Sequence, residues 1–241
     1  MSLIDTLMSS RDELAQARCL RALAWLLRYP DAEMREALPV LQQALSDNGA
    51  LSAARRQGLG RLMNGLMSLD PFQIESEYVE LFDSGRSTSL HLFEHVHGDS
   101  RDRGQAMVDL LKTYEQSGMH VHPDLAGKEL PDYLPLVLEF ASTLGGAQRR
   151  EFVGEFAHIL NALYAALLKR RSLYAHIPAA VLESCGLDIA PTEVPEDEAL
   201  DEAWAEPEAF GGCSSRGQQR PDQAQPIRIV RKQAAGASQP I

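Results

Sequence analysis

Residues 151–169, EFVGEFAHILNALYAALLK, decide the fold class. Phe152, Phe156, Ile159, Leu163 and Leu167 recur at steps of three and four, which puts them on one face of an α-helix. Glu155 and His158 interrupt the apolar run. It therefore falls short of the ~20 consecutive apolar residues that a membrane span requires. The spacing predicts one long amphipathic helix whose apolar face packs against other helices.

The same period continues in both directions. Ser10 and Glu13 have the spacing of a capping box ahead of Leu20, Leu23 and Leu27. Asp31 opens a second segment with Met34, Leu38, Leu41 and Leu45 in step. Ser52 is placed to cap a third, which carries Leu59, Leu62, Met63 and Leu66. Asp70-Pro71 is a helix-start pair, because proline in the first turn sacrifices no hydrogen bond, and it leads into Ile74, Tyr78, Leu81 and Phe82. Ser100 opens an amphipathic helix bearing Met107, Leu110, Leu111 and Tyr114, with Gly118 as its stop. A shorter helix follows Pro131 and ends at Gly145-Gly146, and a last one reaches Cys185 before Gly186 closes it. No run of alternating β-branched residues competes with this pattern. The expectation is an all-α protein, a single irregular bundle of about seven or eight helices filling residues 1–187.

Composition changes after Leu187. Residues 188–208 hold nine acidic side chains and no Lys or Arg, and residues 211–241 are polar, Gly- and Pro-containing and locally basic. Neither stretch has enough apolar surface to offset the entropy of ordering, so residues 188–241 are expected to form a disordered C-terminal tail.

The formal net charge of −11, from 34 acidic and 23 basic side chains, argues against nucleic acid as a partner, since that affinity rests on phosphate neutralisation by Lys and Arg. It favours solubility and partners carrying positive charge. Cys19, Cys185 and Cys213 are isolated, with no Cys-x-x-Cys pair, which suits a reducing compartment. Residues 1–10 lack a basic region followed by an apolar stretch, so no export signal is read. The expected location is the cytoplasm, without direct membrane insertion.

Catalytic patterns are weak. His91, His95 and His97 form an H-x3-H-x-H cluster, but a helix would turn His97 away from the other two and no further ligand lies nearby. Gly98-Asp99-Ser100-Arg101-Asp102 lacks the last glycine of a nucleophile elbow and follows no strand. No Rossmann or P-loop glycine pattern occurs. Arg101 and Arg103 lie in a first helical turn, where the dipole disfavours cations. Either Asp99 and Asp102 pair with them at the surface, or they flank exposed helix N–H groups and hold a phosphate or carboxylate. The second option keeps a nucleotide-binding regulator as the alternative to a binding protein.

One resemblance selects among these readings. Residues 93–111, FEHVHGDSRDRGQAMVDLL, closely resemble the delta-subunit (NarJ-type) chaperones of respiratory nitrate reductase. The similarity extends to EYVELFDSGRSTSL at 77–90 and ELPDYLPLVLEF at 129–140, and more weakly to LLRYPD at 26–31 and ALDEAW at 199–204. The broader family includes the TorD- and DmsD-like chaperones. Its E-x-P-D-H signature stands here as Glu129-Leu130-Pro131-Asp132-Tyr133, with tyrosine in place of histidine, and His91 occupies a position where an aliphatic residue is expected.

The resemblance implies an all-helical, non-catalytic chaperone. Its partner would be the N-terminal peptide of an apo nitrate reductase alpha subunit, or the alpha-beta complex. It would hold no permanent cofactor, yet assist transfer of molybdopterin guanine dinucleotide to the client before release. The residues expected to bind the client are Tyr78, Phe82, Arg86, Phe93, Glu94, His95, His97, Arg101, Asp102, Arg103, Gln105, Glu129, Pro131, Asp132 and Tyr133. Physically, such a protein needs an apolar groove between helices, with Tyr78, Leu81, Phe82, Phe93 and Tyr133 as wall candidates. Glu94, Asp132 and Glu129 are expected to meet basic residues of the client.

Overall fold

The computed structural model describes residues 3–46, 48–97, 101–120 and 129–190, with side chains from residue 12 onward except that of Arg101. The class is all-α. Among the described residues ten α-helices run in the order α1 (Leu3–Leu26), α2 (Ala32–Ser46), α3 (Ala53–Ser68), α4 (Pro71–Phe82), α5 (Leu92–His97), α6 (Arg101–Gln116), α7 (Leu134–Thr143), α8 (Gly146–Glu155), α9 (Ala157–Lys169) and α10 (His176–Ser184). Short 3-10 turns at Arg86–Thr88 and Leu173–Ala175 complete the set. No strand occurs among the described residues; one isolated antiparallel bridge joins His91 to Tyr133.

Several helix starts are where the side chains dictate. The Asp31 carboxylate accepts the Met34 amide at 2.9 Å ahead of α2. Ser52 Oγ accepts from the Arg55 amide at 3.3 Å. Asp70 accepts from Phe72 and Gln73 at 3.0 and 3.3 Å while Pro71 fills the first turn of α4. These bonds satisfy amides that a helix start otherwise leaves without partners. Gly118 (φ +80°) and Gly186 (φ +65°) take the left-handed conformation that ends α6 and the C-terminal helix.

Three expectations need correction. Helix α1 starts at Leu3, so Ser10 and Glu13 lie inside it instead of capping it; an interior serine costs only a few tenths of a kcal/mol, too little to stop a helix. The single long helix of residues 151–169 is two helices, α8 and α9, meeting at Phe156 (φ −99°, ψ 2°). Its apolar residues keep their period across the joint, and Phe152, Phe156, Ile159, Leu163 and Leu167 are all buried. The helix count exceeds eight because of this division and because α5 forms within the histidine-bearing segment. Ser100, expected to cap α6, lies outside the described residues.

Helix α1 occupies the centre and packs against α7, α2 and α10, while α3 packs on α2 and α9 on α10. The buried apolar residues form one contiguous cluster. Arg149, 3% exposed, ties α8 to its neighbours by donating to the carbonyls of Ala141, Leu144 and Glu13 and to Gln16 Oε1. A buried guanidinium is tolerated when its fixed fork of donors finds acceptors in this way. Beyond Leu187 the chain stays attached as far as Ala190. The buried side chain of Asn161 donates to the Asp188 carbonyl at 3.2 Å and accepts from the Ala190 amide at 2.8 Å. Residues 191–241, which hold most of the expected tail, lie outside the described residues. Among the described residues no helix is long and apolar enough to cross a membrane.

Candidate functional site

Two loop segments far apart in sequence run antiparallel ahead of α5 and α7. The Leu134 amide donates to the Leu90 carbonyl at 2.8 Å and the Leu92 amide to the Asp132 carbonyl at 3.0 Å. This pairing delivers the Asp132 side chain to the start of α5, where Oδ2 accepts the Phe93 amide at 3.0 Å. Asp132 thus does for α5 what an N-cap residue does, from 39 positions away.

Asp132 has no solvent exposure. A carboxylate in that position keeps its charge only with partners. Arg103 Nη2 lies 3.7 Å from Oδ2 and His91 Nδ1 3.5 Å from Oδ1, separations of ion pairs longer than hydrogen bonds. Burial pulls the Asp132 pKa upward, but His91, the Phe93 amide and Arg103 together outweigh it and hold it below the usual carboxylate value. The Asp132 carboxylate in turn raises His91 above the ordinary imidazole value, against the opposing effect of burial.

The hub extends through Arg103, whose Nη2 is 3.1 Å from Glu94 Oε1. The other Glu94 oxygen accepts the Ser89 hydroxyl, and Arg86 Nε donates to the Glu94 carbonyl at 2.6 Å. His95 Nε2 lies 2.9 Å from the Ser89 carbonyl, and its burial lowers its pKa. Tyr114 on α6 donates to the Pro131 carbonyl at 2.8 Å. Helix α6 is therefore fastened to the signature loop through Arg103 and Tyr114.

An aromatic cluster adjoins the hub. Tyr78 and Phe82, both buried on α4, have ring centroids 4.8 Å apart, and Tyr174 meets them edge-on at 6.2 and 5.1 Å. Tyr78 donates to the Leu27 carbonyl of the α1 end at 2.6 Å. Tyr78 and Tyr174 line an open groove of about 660 Å³ between α3, α4 and residues 170–174. Its walls are Leu62, Leu66, Leu69, Ile74, Leu81 and Leu173, and the exposed side chains of Glu77, Glu80, Arg170 and Arg171 flank it. A second, more polar depression of about 480 Å³ opens beyond Phe82, lined by residues 83–86 with Ser89, His91 and Glu94.

The structure gathers Arg86, Phe93, Glu94, His95, Arg103, Pro131, Asp132 and Tyr133 around the paired loops, and Tyr78 with Phe82 in the aromatic cluster. Phe93 packs its ring on Phe156 and meets the His97 ring edge-on at 5.9 Å. Tyr133 lies against His91, ring centroids 5.5 Å apart. Asp102, Gln105 and Glu129 are exposed and stand apart; Gln105 donates to Asp109 at 3.1 Å. The side chain of Arg101 lies outside the described residues. Asp132, expected to meet basic residues of a client, is instead sealed inside and committed to α5, His91 and Arg103. Arg103, expected to pair with Asp99 or Asp102 or to hold a free anion, is engaged by Glu94 and Asp132. The three histidines diverge to an aspartate, a carbonyl and an aromatic ring, and among the described residues no three metal-ligating side chains cluster.

Sequence reasoning did not select His91, Ser89, Leu173 or Tyr174. For His91 and Ser89 a signal was present, since Ser89 lies within the string at 77–90 and His91, weighed above only as a metal ligand, follows it directly. For Tyr174 none was, because its position over the groove depends on how the α9–α10 connection folds.

Similarity to known proteins is extensive. The nitrate reductase delta-subunit family matches residues 28–177. Over 191 residues the chain is 40% identical to the nitrate reductase molybdenum cofactor assembly chaperone NarJ of Escherichia coli K12, covering 75% of this chain and 79% of that one. It is 31% identical over 131 residues to the chlorate reductase assembly chaperone protein of Ideonella dechloratans, covering 54% and 56% of the two chains. A crystal structure of a candidate redox enzyme maturation protein from Archaeoglobus fulgidus shares the fold at TM-score 0.50 and 19% identity, over 68% of this chain and 90% of that one. The helical bundle, the signature loop tied to α5 and the match across most of the sequence agree: the chain belongs to the nitrate reductase delta-subunit family, and the two relatives just named are assembly chaperones, not enzymes.

Proposed function

We propose that this chain is a cytoplasmic chaperone that grips the N-terminal peptide of an apo nitrate reductase alpha subunit, alone or in the alpha-beta complex. It keeps the client open while molybdopterin guanine dinucleotide is inserted, holds no cofactor of its own, and then releases the client. The observation that carries this reading is the open groove floored by Tyr78 and Tyr174 and walled by leucines of α3 and α4. Such a cleft takes an apolar helix face or an extended segment, and the polar groups at its edge set direction. Glu77 and Glu80 on the α4 side can meet basic residues of a client, and Arg170 and Arg171 on the opposite side acidic ones. In this reading Phe82, Phe93, Tyr133, Arg86 and Glu94 support the neighbouring depression, while Asp132 and Arg103 act from beneath by fixing α5 and α6.

The test is a calorimetric titration with a synthetic peptide of the client's leading residues. Saturable binding of micromolar scale is expected, weakened at least roughly tenfold by Leu173→Asp, because Leu173 is exposed on the groove wall and its loss leaves the core intact. Absence of heat with the unaltered chain overturns the proposal.

A further inference from the structure

We propose that the Arg171 guanidinium is the specificity-determining contact of the groove, pairing with a carboxylate of the client segment. This rests on the client-binding reading above and adds to it the residue that selects the client.

Among the described residues three helices close their last turn with the same pair of bonds. At the end of α6 the Gly118 amide donates to the Glu115 carbonyl and the Met119 amide to the Tyr114 carbonyl, both at 2.9 Å. After α10 the Gly186 amide donates to the Glu183 carbonyl at 3.0 Å and the Leu187 amide to the Leu182 carbonyl at 2.9 Å. After α9 the Arg171 amide donates to the Leu168 carbonyl at 2.9 Å and the Ser172 amide to the Leu167 carbonyl at 3.0 Å. This closure requires a left-handed residue, and glycine is the usual occupant because it has no Cβ to clash. Gly118 and Gly186 follow that rule. The third position holds arginine at φ +55°, the one non-glycine residue with positive φ among the described residues. A strained backbone that persists where glycine would relieve it points to a role for the side chain.

That role is not in holding the fold. The Arg171 side chain is exposed and makes no hydrogen bond, ion pair or ring contact among the described residues. Its neighbour Arg170 differs, donating to the Leu81 carbonyl at 3.5 Å. Arg171 lines the groove on the same wall as Leu173 and Tyr174, opposite Glu77 and Glu80 of α4. The rim therefore carries both signs, and its net charge selects nothing; the backbone at residue 171 is what singles out one cation. A planar guanidinium with free donors takes a carboxylate through two parallel N–H···O bonds, a fit that an ammonium does not reproduce. The occupant so selected is a peptide segment whose apolar face lies on Leu62, Leu66 and Ile74 and whose Asp or Glu meets residue 171 at the edge.

The experiment compares the full chain with Arg171→Gly and Arg171→Asn, which both accept the left-handed backbone and remove the guanidinium. Affinity for a synthetic peptide of the client's leading residues is measured by calorimetry and folding stability by urea unfolding. Affinity is expected to weaken roughly five- to tenfold in both variants. The unfolding midpoint of Arg171→Gly is expected to rise, because relief of the strain outweighs the extra freedom of glycine in the unfolded chain. A second peptide, with its Asp and Glu replaced by Asn and Gln, should bind all three chains alike and as weakly as the first peptide binds the variants. Unchanged affinity in Arg171→Asn, or equal discrimination against the second peptide by all three chains, overturns the Arg171 assignment while leaving the client-binding reading in place. A midpoint unchanged or lowered in Arg171→Gly also overturns it, because the arginine would then be unstrained or serving the fold. Failure of the unaltered chain to bind the first peptide removes the functional reading itself.

Discussion

The Asp132 carboxylate is cut off from solvent yet favours its charged form, because groups from three places converge on it: the Phe93 amide, His91 and Arg103. The consequence is a defined pH signature at His91. Its folded pKa lies above the ordinary value of ~6.5, so its stabilising contribution is complete below that pH and fades as pH rises through the raised value. His95, lowered by burial, works in the opposite sense and costs stability as pH falls below ~6.5. Comparing the native chain with His91→Gln separates the two. The difference in unfolding free energy should be steady on the acid side of ~6.5, while Asp132 stays charged, and should narrow toward alkaline pH. A gap that stays flat or widens with rising pH would contradict this arrangement. At this scale the sequence exposed the residue types but not their roles: Asp132 and Arg103 stood in recognisable strings, yet whether they faced a client or the interior depended on a loop pairing across 39 residues.

Among the elements, α3 shows how closely the bundle is fitted. Glu183 of α10 accepts from the Ser52 amide and pairs with Arg55 Nε at 3.2 Å, and Arg55 also reaches the His176 ring at 3.3 Å. That ring lies directly over Gly58, so a side chain there would collide with it, whereas a Cβ at Gly60 meets nothing within 4 Å. Gly58→Ala is expected to destabilise the protein by about 1–2 kcal/mol, overpacking outweighing the gain in helix propensity. Gly60→Ala is expected to stabilise it by about 0.5–1 kcal/mol. Urea unfolding of the two variants checks the opposite signs; equal effects would mean that α3 and α10 are not in close contact. The helices themselves were largely legible, because Ser52, Asp70-Pro71, Gly118 and Gly186 mark ends by local chemistry. The joint at Phe156 was not, since the apolar period runs through it in phase and only backbone torsion records the break.

At the scale of the whole molecule, the described chain ends where Asn161 holds Asp188 and Ala190. Truncation after Leu187 should therefore be less stable than truncation after Ala190 by about 1–2 kcal/mol, as the buried Asn161 amide loses the Asp188 and Ala190 bonds, its oxygen is left without an acceptor role, and only the bond to the Ala157 carbonyl remains. Equal thermal midpoints for the two would show that these bonds contribute nothing. The all-α class and the family followed from the sequence, and of the five expected wall residues Tyr78 and Leu81 line the groove while Phe82, Phe93 and Tyr133 do not; its position was not legible, because it joins α3, α4 and the α9–α10 connection, three regions whose proximity no local pattern encodes. The account as a whole requires that a reductase made without this chain lack its cofactor. Molybdenum analysis of the nitrate reductase purified from cells deleted for this gene tests that directly: the metal should be largely missing and restored by the gene in trans, and a full complement of molybdenum in the deletion strain would contradict the account.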